Sequence, residues 1–177
     1  MLTRKTAIWA LLLLVCLVIT TASAADSKAP TFTLPNLEGK DVRLSSLLTK
    51  GPVILDFWAT WCKPCIKAFP DLQMVYDKYK DSGLSVVTVS IDGPKSRARV
   101  GPLVRSKKYT FEVLLDTHGR VAKKYNAFAL PRTVLINPKG EIVYSAVGYR
   151  PNSHEELEEA LRTIFPEDAR EEGEVLD

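Results

Sequence analysis

"DFWATWCKPCIKAFP", residues 56–70, sets Cys62 and Cys65 three residues apart just after an apolar run. Three chemistries use such a pair: a redox couple, half of a metal site, or a structural disulfide. A disulfide closing so short a loop restrains the unfolded chain little, because its entropic benefit grows with loop length. Half of a zinc site would call for further ligands, and no second cysteine pair exists in this chain of three cysteines and two histidines. Copper(I) suits thiolates, so a copper-delivering binding protein stays as an alternative. His118, in the turn-like "DTHG", and His154, at a helix start, read as solvent-side residues.

The redox reading has a local physical basis. A helix beginning around Cys62 places that sulfur at the positive end of the helix dipole, among N–H groups without intrahelical partners. Such a position favours thiolate and lowers a cysteine pKa from about 8.5. Lys63 adds positive charge, and Pro64 fits the first turn, where its missing N–H costs nothing. Cys65 lies on the same helix face and within reach of Cys62. The pair is expected to be asymmetric, with Cys62 the exposed attacking thiol and Cys65 the sheltered one that resolves the mixed disulfide.

At 177 residues and 46% hydrophobic, the chain can bury one substantial core. Its first residues join Arg4 and Lys5 to an uncharged apolar stretch ending in Ala22-Ser23-Ala24, which reads as a signal peptide over 1–24, with an uncleaved N-terminal anchor as the competing view. Of 24 Lys and Arg, those two leave with the segment, so 22 basic residues face 21 acidic ones and no nucleic-acid surface is indicated. Cys16 leaves as well, and Cys62 and Cys65 then stand alone in an oxidising compartment.

Downstream of the linker, "PTFTLPNLEGKDVRLSSL" alternates around Glu38-Gly39-Lys40 and predicts a hairpin followed by a helical turn. "PVILDFWA" (52–59) and "LSVVTVSID" (84–92) are buried strands, joined by a helix with Ile66, Phe69, Leu72, Val75, Tyr76 and Tyr79 at helical spacing, which Pro70 is expected to bend where it stands. This βαβ unit demands parallel pairing. The basic segment 95–108 predicts a solvated helix interrupted at Gly101-Pro102. A short strand at 111–116, a helical stretch, a hairpin over 132–148 turning at Asn137-Pro138-Lys139-Gly140, and a helix opened by a Ser153/Glu156 capping box complete the domain. Residues 166–177 are acidic, aliphatic-poor and expected to be disordered.

WCKPC between a buried strand and a Pro-containing helix resembles the thioredoxin superfamily. "APTFTLPNLEGK" (29–40), "FWATWCKPC" (57–65) and "YNAFALPRT" (125–133) followed by "VLINPKGEIV" are similar to the TlpA, ResA and CcmG type of exported thiol-disulfide oxidoreductases, relatives of the redoxin and AhpC/TSA group. The resemblance covers 29–165 and implies an α/β thioredoxin-like domain: a central mixed β-sheet flanked by helices, an N-terminal β-hairpin and a helix/strand insertion near 95–108. It implies a cis peptide before Pro131, facing the cysteines, with the Leu130 backbone free to hydrogen-bond an incoming chain. No metal or organic cofactor is implied beyond the Cys62–Cys65 couple itself.

Two departures from that pattern matter. Relatives of the ResA kind often carry a glutamate three residues past the second cysteine, where this chain has Ala68, whereas thioredoxin uses an aspartate six before its first cysteine, where this chain has Asp56. A carboxyl within "VILDFW" would be partly desolvated, with a raised pKa, and could take the proton of Cys65. Arg132 replaces the usual threonine after the proline; it would select acidic partners or hold the thiolate charged, against the plainer reading of a solvated loop arginine. Trp61 is expected at the contact surface with Lys63, Pro64, Leu130, Pro131 and Arg132, and Trp58 in the core. The expected protein is a monomeric, extracytoplasmic reductant of disulfides in exported proteins, apocytochrome c among the candidates, drawing electrons from a membrane thiol carrier. A thiol peroxidase of the redoxin group is the second alternative.

Overall fold

The hydrophobic run after Pro52 occupies the middle of the sheet. In the computed structural model, which describes residues 28–165, it forms strand β3 (Val53–Trp58), buried at every position. The other strands of this sheet are β4 (Ser85–Ser90), β5 (Glu112–Leu115), β6 (Arg132–Ile136) and β7 (Ile142–Val147), in the order β5-β4-β3-β6-β7. β3 pairs parallel with β4 and β4 with β5, whereas β6 runs antiparallel to both β3 and β7. Helix α2 (Lys63–Tyr79) is the crossover that the parallel β3–β4 pair requires. Close backbone approach brings the two strands into line: a Cβ on Gly83, at φ 95°, would stand 2.7 Å from the Lys50 carbonyl oxygen.

Alternation along β3 divides the interior into two layers. Ile54 and Trp58 face α2, α3 (Val100–Lys107) and α5 (Ser153–Arg162), where Phe69, Leu72, Val75, Val104, Leu157 and Leu161 pack. Val53, Leu55 and Phe57 face the opposite side. There the hairpin of β1 (Thr33–Pro35) and β2 (Asp41–Arg43), helix α1 (Leu44–Leu48) and helix α4 (Arg120–Lys124) supply Phe32, Leu34, Leu44, Leu47 and Val121. Asp56 shares the parity of Ile54 and Trp58 and therefore looks into the α2 layer.

The N-terminal hairpin, the βαβ unit and the β6–β7 hairpin stand where the sequence puts them, and α3 with β5 forms the helix/strand insertion beyond β4. Two local expectations fail. Residues 97–107 run from a 3₁₀ turn (Arg97–Arg99) into α3 without a break at Gly101-Pro102, because Pro102 falls in the first turn, where no N–H is missed. The Ser153/Glu156 capping box does not form: Asn152 precedes α5, the Ser153 hydroxyl accepts from the Arg150 N–H at 2.9 Å, and Arg150 takes the Glu156 carboxylate at 2.8 Å. Helix α2 continues through Pro70. The segments 1–24 and 166–177 lie outside the described residues, and no helix among the described residues is long and apolar enough to cross a membrane.

Candidate active site

Cys62 is the residue before the first turn of α2, with extended backbone at φ −86° and ψ 93°. It is disulfide-bonded to Cys65, the Cα atoms 5.3 Å apart, and its Sγ accepts the Cys65 N–H at 3.3 Å. Pro64 sits in the first turn, as its lack of a donor allows. The asymmetry is one of access: Cys62 retains 6% exposure and Cys65 none. The expectation of an openly exposed Cys62 is corrected by this value. What surface it keeps opens onto a groove lined by Trp61, Lys63, Pro64, Phe128 and Leu130.

The loop before Cys62 is tethered from the next strand. The Asp92 carboxylate accepts from the Thr60 N–H at 2.8 Å, the Thr60 hydroxyl at 2.6 Å and the Ser90 hydroxyl at 2.9 Å, and is itself buried. Burial acts to raise its pKa, but hydrogen bonds from Thr60, Ser96 and Ser90 outweigh it and hold the carboxyl below the usual carboxylate value. Sequence reading passed over Asp92; its signal was an acid closing the strand "LSVVTVSID", beside the end of the strand that leads to the cysteines.

Asp56 lies on the central strand at 2% exposure. Its Oδ1 accepts from the Thr133 hydroxyl at 2.7 Å across the β3–β6 pair, and its Oδ2 is buried without a hydrogen-bond partner. Desolvation raises its pKa to about 7, against a smaller lowering by Thr133. Asp56 lines a cleft that Ala68, one turn beyond Cys65, also lines, together with Asp71, Tyr149 and His154. His154 is thereby corrected from a solvent-side residue: its side chain keeps 27% exposure, and its Nδ1, buried without a hydrogen-bond partner, stands 3.6 Å from Asp71 Oδ2. His118 is exposed.

The peptide bond Leu130–Pro131 is cis, and the Pro131 carbonyl accepts from the Gly148 N–H at 2.8 Å. Leu130 lines the groove at Cys62, and Trp61, 63% exposed, forms another wall while Trp58 is fully buried. Phe128, 76% exposed, is the groove residue that sequence reading missed; its signal was an aromatic ring among alanines just before the proline. Arg132 is not brought there. It opens β6 half-buried, and strand alternation sends it to the face of Val134 and Ile136, away from Thr133 and the cysteine layer, so it is neither a loop arginine nor a lining of the groove. Among the described residues, no three His, Cys, Asp or Glu side chains gather into a metal-ligand set.

A mixed sheet carrying a Cys-x-x-Cys pair at a helix start, beside a cis-proline, defines a thioredoxin-like thiol-disulfide oxidoreductase. Residues 25–145 match the AhpC/TSA family, to which the chain belongs. It is 35% identical to the thiol-disulfide oxidoreductase ResA of Bacillus thuringiensis subsp. konkukian over 139 residues, 78% of each chain. It is 33% identical to the sporulation thiol-disulfide oxidoreductase A of Bacillus subtilis, over 78% of this chain and 84% of that one. Among solved structures, a Chlorobium tepidum protein described as a thiol:disulfide interchange protein DsbE matches with a TM-score of 0.72 and 34% identity, over 78% of this chain and 95% of that one. StoA of Bacillus subtilis matches with a TM-score of 0.62 and 29% identity, over 76% and 98%.

Proposed function

We propose that this oxidoreductase works outside the cytoplasm as a reductant of disulfides in exported proteins, apocytochrome c among the candidate substrates, and is recharged by a membrane thiol carrier. The observation that carries the reading is the placing of Cys62 at the start of α2, open to the groove, with Cys65 sealed behind it. When the pair is reduced, the helix dipole and the Cys65 N–H favour thiolate at Cys62. That thiolate attacks one sulfur of a target disulfide and the other sulfur leaves with the electron pair. Cys65 then attacks Cys62 Sγ, forming the intramolecular disulfide and releasing the second target sulfur.

Asp56 is the base for Cys65 in this scheme. Ala68 and Asp56 line the same cleft, so an acid supplied from the strand reaches the space that a longer side chain at position 68 would enter from the helix. Trp61, Lys63, Pro64, Phe128 and Leu130 receive the target chain around its cysteine, with the cis Pro131 next to Leu130. The Ala22-Ser23-Ala24 pattern supports export, the protein acting as a monomer after cleavage at 1–24 or from an N-terminal anchor. A Cys65→Ala variant in the native host should accumulate mixed disulfides through Cys62, with exported proteins as the captured partners. Capture of cytoplasmic proteins alone, or none with Cys62 reactive toward iodoacetamide, would count against the proposal.

A further inference from the structure

A buried base must shed each proton it collects, or it works once. Asp56 is closed off from bulk water, its Oδ1 is occupied by Thr133 and its Oδ2 has no hydrogen-bond partner. The groove at Cys62 does not reach Asp56, which is not among its lining residues, and both sulfurs are tied up once the disulfide has formed. The cleft on the other side of Asp56 does offer one. It holds about 40 Å³, room for a bridging water, between the apolar walls of Ala68, Leu72, Val75 and Leu157. The part-exposed Asp71 and His154 stand in the same cleft with Tyr149.

We propose that His154, beside Asp71, is the relay through which Asp56 exchanges its proton with solvent during thiol turnover. Three observations converge on it. The cleft joins Asp56 to His154; the His154 Nδ1 is buried with no hydrogen-bond partner although its ring keeps partial exposure; and the Asp71 carboxylate lies 3.6 Å from that nitrogen. Tyr149 donates to Asp71 Oδ2 at 3.0 Å and holds the carboxylate in place. Imidazole suits the task because it can accept a proton on one nitrogen and release one from the other. The titratable groups lining the cleft with His154 are Asp56 from β3, Asp71 from α2, Tyr144 from β7 and Tyr149 beyond it.

The inference rests on the reading of Asp56 as the base for Cys65, and its proton balance is closed. The Cys65 thiol gives its proton to the Asp56 carboxylate, and the Cys65 thiolate forms the bond to Cys62 as the target sulfur leaves with the electrons of the broken bond. The Asp56 carboxylic acid then protonates the cleft water, which passes a proton to His154, and the imidazolium releases one to solvent.

Two measurements on the full-length protein separate this relay from the reading beneath it. Reduced protein mixed with Ellman's reagent releases thionitrobenzoate in two phases, the first from attack by Cys62 and the second from resolution by Cys65. Asp56→Asn should slow the second phase alone; an unchanged second phase overturns the base role and the relay with it. Carbon-13 NMR of the Asp56 carboxyl across its titration reads proton exchange directly. His154→Leu should slow that exchange by about 10-fold or more, with recovery on adding free imidazole. His154→Gln, which keeps a polar side chain in the cleft, should behave alike and covers the case in which the leucine variant fails to fold. Exchange unchanged in a folded variant, with Asp56→Asn still slow in the second phase, overturns the relay and leaves the base role standing.

Discussion

Asp56 carries a charge cost that the protein keeps. Its carboxyl holds a proton up to about pH 7 in the folded state, whereas in the unfolded chain it releases it near the ordinary value of 3.8. Between those values the folded state binds more protons than the unfolded one, so this residue makes stability fall as pH rises from about 4 to about 7, by at most about 4 kcal/mol. Asp56→Asn removes the titration. The variant should therefore be more stable than the parent at pH 8 by a few kcal/mol, with the difference closing by pH 4, as chemical denaturation at the two pH values would read. Equal stability gains at both would show that the carboxyl is not the source.

Asp92 has the opposite sign. Its folded pKa lies below the unfolded value, so its contribution is present above about pH 4 and is lost as pH falls through the folded pKa. Asp92→Ala strands the Thr60 hydroxyl and N–H and should cost about 3 kcal/mol at pH 7. A parent-like denaturation midpoint at pH 7 would exclude the tether.

Helix α2 joins the two halves of the site to the core. Its buried stripe of Cys65, Phe69, Leu72, Val75 and Tyr79 sits against β3, with the Phe69 ring edge-on to Trp58 at 4.8 Å. Phe69→Ala empties the layer directly beneath the cysteines and should cost about 3–5 kcal/mol in thermal or chemical unfolding. The exposed groove walls beyond the start of this helix, Trp61 and Phe128, behave differently. Trp61→Ala and Phe128→Ala remove groove surface without touching the core, so each should raise KM for a protein disulfide about 10-fold and leave the first-phase rate with Ellman's reagent unchanged. A loss equal for both substrates would assign these rings to the chemistry instead of to docking.

For the molecule as a whole, the two-layer interior lets one strand be structural on one face and carry the proposed base on the other. β3 sends Val53, Leu55 and Phe57 to a wholly structural face and Asp56 to the face shared with α2. Membership of the AhpC/TSA family alone leaves peroxide as a conceivable oxidant. The Cys62–Cys65 disulfide within one helix start argues for exchange with other disulfides, so the reduced protein should clear hydrogen peroxide no faster than a free thiol of similar pKa; rapid catalytic consumption would reverse that assignment.

What the chain determined by itself is local. The Cys-x-x-Cys pair, its helix, the apolar strands and the turn at Asn137–Gly140 follow from spacing, propensity and periodicity over a few residues, and the motif resemblance extended them to the fold and the cis-proline. Where helix starts were misread, at Pro102 and Ser153, the local patterns allowed more than one first turn. Only the tertiary structure decided which side chains meet: Asp92 with Thr60, Asp56 with Thr133 77 residues away, His154 with Asp71, and Arg132 turned from the groove. Those encounters depend on strand register and on which layer each element covers. A one-residue shift in pairing would exchange the faces, and no short window of sequence encodes that choice.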